Sequence, residues 1–176
     1  MTMDDPRTHP AVSATDPDWS RERVAPFAWH PSRRLLAAIR RYQRWHKRLG
    51  PIGWLIARCA TCQHRFWSIV TGADIPINAR LGGGLLIPHP NGIVIHPSAT
   101  VGPNCLIFQQ VTLGTAGHAS PPGAPKIGGH VDIGAGAKIL GGITIGDHAK
   151  IGANAVVLQD IPSHATAVGI PARIIT

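Results

Sequence analysis

Acidic and aromatic residues are both scarce in this 176-residue chain. Nine Asp and Glu stand against 17 Lys and Arg, and Phe, Trp and Tyr together make up only 5%. With so few rings, the core must be built from aliphatic side chains, and a hydrophobic content of 44% supplies them. That content argues against disorder despite 20 Gly and 16 Pro. No run of about 18 apolar residues exists, so no membrane-spanning helix is expected. Met1 to Ser20 is polar and lacks the apolar segment of a secretory signal. The chain is therefore expected in the cytoplasm. There are three cysteines, Cys59, Cys62 and Cys105, and an odd count without such a signal argues against a disulfide framework. Cys59 and Cys62 form a C-x-x-C pair, but no second pair exists and His64 lies too near for zinc-site spacing. Both are expected on the buried side of a helix, and no metal site is expected.

What the chain does contain is unevenly distributed. Residues 1–72 carry 12 Lys and Arg against 5 Asp and Glu, whereas residues 73–176 carry 5 against 4. All five tryptophans fall before residue 68. Residues 1–31, rich in Pro, Asp, Ser and Thr, read as a flexible arm. Residues 32–72 read as a helical segment. Ser32 is placed to cap a helix starting near Arg33, and Leu35, Leu36, Ile39, Tyr42 and Trp45 form its apolar stripe. Gly50-Pro51 ends that helix, since the residue before Pro avoids helical angles. A second, more apolar helix spans about Ile52 to Val70.

From Ile127 to Leu158 an aliphatic residue returns every sixth position: Ile127, Ile133, Ile139, Ile145, Ile151 and Val157. The fifth residue of the hexad is often small, as at Ala137, Ala149 and Ala155. A helix of period 3.6 would scatter these positions around its surface. A solenoid with short flat faces keeps them in register. A looser set, Ile75, Leu81, Ile87 and Ile93, slips by two residues to Ile95, Val101, Ile107 and Leu113. Residues 114–126 break the pattern with Gly, Ser, Pro and His and are expected to leave the solenoid as an excursion loop. Residues 73–176 are thus expected to be a mainly β solenoid with a helical segment before it. Gly169 to Ile175 is expected to cap the last coil.

The hexads resemble those of the hexapeptide-repeat acyltransferases, and within them the serine O-acetyltransferases and their short sugar-acetylating relatives. The carrying stretches are Ala73-Asp-Ile-Pro, His89-Pro-Asn-Gly-Ile-Val-Ile, Gln110-Val-Thr-Leu-Gly, Pro125-Lys-Ile-Gly, Ile133-Gly-Ala-Gly-Ala-Lys-Ile-Leu-Gly and Val168-Gly-Ile-Pro-Ala-Arg-Ile-Ile. The resemblance covers roughly residues 33 to 176 and implies a left-handed parallel β-helix. It also implies that His89 is a general base and that Asp74, fifteen residues upstream as in the family, orients it. The chemistry suits such a pair. A hydroxyl is a poor nucleophile at neutral pH, and an imidazole of ordinary pKa about 6.5 can take its proton as the bond to a thioester carbonyl forms. A carboxylate on the other ring nitrogen fixes the tautomer. Backbone N–H groups at coil corners are placed to hold the developing oxyanion.

The implied reaction is acetyl transfer from acetyl-CoA to a hydroxyl of a small molecule or sugar. The implied assembly is a homotrimer with active sites at subunit interfaces. Gly114, Ala135 and Ala153 are the candidates for the pantetheine, Lys138, Lys150 and Arg173 for the CoA phosphates, and Asn91 and His118 for the acceptor. His96 falls where the family has Gly and reads as a surface residue. His130, His148 and His164 read as solvent-facing hexad positions. Two departures bear on the acceptor. Serine acetyltransferases carry Asp directly before the catalytic histidine, where this chain has Pro88. They also carry Arg-His before Pro-Lys-Ile, where it has Gly123-Ala124. Losing these charges predicts that free serine, a zwitterion, is a poor substrate.

Competing readings are a true serine O-acetyltransferase of cysteine biosynthesis and a non-catalytic β-helix scaffold. A β-helix of the carbonic-anhydrase kind would need three metal-binding histidines, and the surroundings of His89 lack that pattern. The basic face of the first helix, with Arg40, Arg41, Arg44, Lys47 and Arg48 beside Trp45, is a candidate for peripheral contact with an anionic membrane. A solvated face packed on the solenoid is the simpler account. No nucleic-acid motif accompanies it, so nucleic acid is not expected as a partner.

Overall fold

The sixth-residue aliphatics stack into three columns. In a computed structural model describing residues 12–25, 28–48, 50–117 and 121–175, Ile95, Leu113, Ile139 and Val157 lie side by side on one face, with Asp74 bridging Val94 at its edge. Leu81, Val101, Ile127 and Ile145 line a second face. Ile107, Ile133, Ile151 and Ala167 line a third. Pairing within the coils is parallel throughout, giving a left-handed parallel β-helix with three flat sheets. Almost every strand presents one outer residue and one buried one, as alternation along an extended chain requires. The small fifth-position residues, Ala137, Ala149 and Ala155, are fully buried beside the large ones.

Coil lengths reveal where the solenoid departs from its period. Ile127 faces Ile145, eighteen residues on, which is three faces of six. Leu81 faces Val101, twenty on, and the two extra residues fall between Ile87 and Ile95, at the corner that carries Pro88 and His89. Val101 faces Ile127, twenty-six on, and the surplus lies between the first and second faces. There the strands run to Gly114 and resume at Lys126, so residues 115–125 form the excursion. Two corners turn through left-handed backbone angles. One column holds Gly84, Asn104, His130, His148 and His164; the other holds Gly92, Gln110, Gly136 and Asn154. Asn and Gly tolerate this region best, and the three histidines accept some strain there. The last coil is closed by Arg173–Ile175, which pairs antiparallel with Thr166–Val168 and covers the sheet edge.

Two helices precede the coils, α1 (Pro31–Trp45) and α2 (Pro51–Thr71). Ser32 does not cap α1. The helix opens one residue earlier, on Pro31 with His30 as N-cap and no side-chain cap bond, because proline at the first helical position already has the right φ. Leu35, Leu36 and Ile39 join the core formed by the first coils. Arg40, expected on a solvated face, donates to the Leu81 and Gly82 carbonyls and pairs with Glu22 at 2.8 Å. Gln43 donates to the Ile77 and Ala79 carbonyls. α2 ends on Gly72 in the left-handed conformation and packs on α1, and the side it buries carries Gly53, Ala57 and Ala60. A Cβ at Gly53 would stand 2.8 Å from the Arg48 carbonyl, so the close approach excludes larger residues. This reverses the expectation for Cys59 and Cys62. Both face outward, because the small residues took the inner side.

Residues 12–25 are not a loose arm. The buried Asn104 donates to the carbonyls of Ser13 and Asp16 and accepts from the Asp18 amide, and Glu22 accepts from the Leu85 amide. Among the described residues no helix is long and apolar enough to cross a membrane.

Candidate functional site

His89 stands on the two-residue bulge between the third face and the first. Pro88 and Pro90 flank it, which stiffens the turn. The segment that follows runs beside the end of α2. The Gly92 amide donates to the Gly72 carbonyl, and the Asp74 amide to the Ile93 carbonyl. The C-cap of α2 and the bulge therefore share one wall. His89, Asn91, Val70, Thr71 and His30 line a cleft of about 360 Å³ there. The His89 imidazole is exposed at its rim.

Asp74 lies one strand away, on the first face. It lines a second cleft of about 360 Å³ with His96, Thr112, Gly114 and Thr115. No hydrogen bond joins the Asp74 carboxylate to His89 in the single chain, and neither side chain has another hydrogen-bond partner among the described residues. Both are exposed. His96, read from the sequence as a surface residue, lines the Asp74 cleft, half-buried, and accepts from the Ser98 amide through Nδ1. Its placement could have been found by counting hexads, since it begins the corner next to Asp74.

The other candidates divide between neighbouring surfaces. Below His89 the same corner continues through Gln109, Ala135 and Ala153, with Gln110 one residue on. The Gln110 amide donates to the Asn91 carbonyl, and the Asn154 amide to that of Ala135. Gly114 and Lys138 belong to the first face with Asp74. The Lys138 ammonium donates to the Gln110 carbonyl, which brings a cation to the corner beneath His89. Lys150 and Arg173 sit apart from this group, both on the third sheet, Lys150 opposite Asp132 and Arg173 opposite Val168. His118 lies outside the described residues. One residue carried no signal in the sequence: Gln109, in line with Ala135, has its side-chain oxygen buried without a partner among the described residues.

Of the three corner histidines, His164 is exposed as expected, whereas His130 and His148 are half-buried. His130 and His148 approach at 2.9 Å through their Nδ1 atoms, and His148 stacks on His164 with centroids 4.7 Å apart. Burial, more than the neighbouring His148, holds the His130 pKa below its ordinary value, against the pull of Asp132. Cys105, inside the solenoid, has its thiol pushed up to about 11 by burial.

Comparison with known proteins accords with this architecture. Residues 124–159 match the bacterial transferase hexapeptide (six repeats) family. A serine acetyltransferase of Synechococcus elongatus is 50% identical over 107 residues, which are 61% of this chain and 44% of that one. One from Staphylococcus aureus is 43% identical over 130 residues, 74% of this chain and 60% of that one. Among solved structures, a serine acetyltransferase from Brucella abortus strain S19 in complex with coenzyme A matches with a TM-score of 0.70 at 37% identity, covering 84% of this chain and 56% of that one. The chain spans about half the length of these relatives. It is a hexapeptide-repeat protein, serine O-acetyltransferase-like in sequence and fold.

Proposed function

We propose that this chain is an O-acetyltransferase that moves an acetyl group from acetyl-CoA to a hydroxyl acceptor. The observation that carries the reading is the bulged corner. It raises His89 over a corner column that continues through Gln109, Ala135 and Ala153, beside the face that bears Asp74, Gly114 and Lys138. In this reading His89 takes the proton of the acceptor hydroxyl as its oxygen attacks the thioester carbonyl. The carbon–sulfur bond then breaks, and the proton passes to the leaving sulfur. Asp74 turns towards the second ring nitrogen and holds the tautomer, a movement that leaves no other bond unmade. The acyl donor lies along the corner column, with Gly114, Ala135 and Ala153 against the pantetheine and Lys138 one of the cations for its phosphates. Lys150 and Arg173, on the adjoining sheet, serve the phosphates.

The working unit is a homotrimer, which supplies the opposite wall of the donor groove, and the reaction takes place in the cytoplasm. Two readings of the acceptor are each supported by a distinct observation. The names of the relatives favour serine. Pro88 and Gly123-Ala124, where those enzymes carry charge, favour an uncharged hydroxyl compound such as a sugar.

The test is thiol release from acetyl-CoA across serine, simple sugars and nucleotide sugars. We expect acceptor-dependent release, and a loss of about 10²–10⁴-fold in His89→Ala. Asp74→Asn should lose less, because it leaves the base but loosens its orientation. Near-normal turnover in His89→Ala would remove His89 from the mechanism, and no release with any acceptor would overturn the reading.

A further inference from the structure

Helix α2 is built inside out. Its inner side carries Gly53, Ala57 and Ala60, and its outer side carries large apolar groups. Ile52 is 70% exposed, Leu55 56%, Phe66 53% and Ile69 83%. With the exposed Cys59 and Cys62 they recur at alternating intervals of three and four residues, which places all six on one stripe. The stripe is about 26 Å long at 1.5 Å per residue. A surface helix ordinarily turns such a stripe inward, and a contiguous exposed one marks a contact surface.

The surrounding charge selects the partner. Residues 23–73 contain ten Arg and Lys and no Asp or Glu. Arg58 and Arg65 run along the shoulder of the stripe, Arg58 near the Trp54 ring at 6.0 Å. At the turn between the helices Arg48 covers Trp45 at 4.5 Å, beside the exposed Lys47. A second copy of the same hairpin would bring cation against cation with no acid to relieve them, so the surface disfavours itself and suits an anionic one. Its form is a convex ridge with apolar side chains along the crest and cations on the shoulder. That is how a helix lying in a lipid interface divides its residues, and it needs no groove of matching shape.

We propose that the outer face of α2 docks this protein onto an anionic lipid surface. Leu55, Phe66 and Ile69 enter the acyl boundary, and Arg58 and Arg65 meet the headgroups. The contact belongs to α2 and not to the basic face of α1, whose Arg40 is bound to Glu22 and whose Arg41 is bound to Gln63. The C-terminal end of the stripe adjoins Val70, which lines the His89 cleft, so docking holds that cleft beside the headgroups. The inference does not depend on the catalytic reading.

Flotation of the full chain with phosphatidylcholine vesicles, with and without phosphatidylglycerol, tests it. We expect binding only with phosphatidylglycerol, release by salt, and about tenfold or greater weakening in Leu55→Gln/Ile69→Gln at an unchanged melting midpoint. A measurement that needs no variant is maleimide labelling of the exposed Cys59 and Cys62, which anionic vesicles should slow. The proposal is overturned if anionic vesicles neither bind the chain nor protect these thiols. It is also overturned if Leu55→Gln/Ile69→Gln binds like the parent, which would mean charge alone, as for an acidic protein or nucleic acid. A fall in mass by light scattering in that variant, with no vesicle binding by the parent, would assign the stripe to a neighbouring subunit instead.

Discussion

The helical hairpin and the β-helix solve the problem of burial in opposite ways. In the solenoid, a side chain's place in the hexad decides its fate, so Ile133, Ile139 and Ile145 are all completely buried although they lie on three different faces. In α2, size decides. Gly53, held against the Arg48 carbonyl, and Ala60 go inward, and Ile69 and Phe66 are left outside. The solenoid is also close to electrically neutral, while the hairpin is basic and carries no acid of its own. A region that repeats can satisfy itself coil by coil. A region that does not repeat shows in its leftover surface what it still has to meet.

The contrast can be broken most severely by putting a charge into each region. Ile139→Asp, between Leu113 and Val157, buries an unpaired carboxylate and should cost more than about 4 kcal/mol, a large part of the stability of a domain this size. Ile69→Asp, on the α2 crest, should leave the unfolding free energy within about 0.5 kcal/mol of the parent. Equal destabilisation by the two would show that the α2 stripe is covered in the native assembly.

The join between the regions is sharpened by Asn104, which ties residues 13–18 to the solenoid with three side-chain hydrogen bonds at a left-handed corner. Asn104→Ala should lose about 2–4 kcal/mol in urea unfolding, from lost bonds and from backbone strain together. Asn104→Gly keeps the backbone freedom and should lose less. If the two variants lose equally, the strain contributes nothing.

The smallest effect is titration at the solenoid corner. Burial lowers the native pKa of His130, so on acidification the unfolded chain takes up this proton first. The contribution is fully present above the unfolded value of about 6.5 and is lost as pH falls through it towards the lowered native value. Thermal midpoints across this range should fall less steeply in His130→Gln than in the parent. An identical slope would discount the corner histidines as a source of acid sensitivity.

Much of the solenoid was legible because its code is local. The six-residue return of Ile127 to Val157 appears in the structure as uninterrupted parallel columns, and the two-residue slip before Ile95 marks the bulge that lifts His89. Asp74 was findable by its spacing, but the clefts that hold it and His89 were not. They depend on how the end of α2 lies against the bulge, and no periodicity describes that. The inward C-x-x-C and the capping role of Ser32 failed for a related reason. Each took hydrophobicity or capping preference as decisive where Gly53, Ala57 and Pro31 had stronger geometric claims. His96 beside Asp74 and Lys138 beneath His89 became neighbours of the candidate site only when coils of twenty, eighteen and twenty-six residues were laid side by side.

Sequence alone determined the solenoid, its inward-facing residues and the basic character of the hairpin, because repetition and net charge can be read without knowing what touches what. Tertiary structure alone decided that the end of α2 lies against the His89 bulge, how residues 12–25 are bound through Asn104, and that α2 turns its largest apolar side chains outward. Those outcomes follow from close packing between segments far apart in the chain, where the space available, rather than the preference of any one residue, selects what is buried.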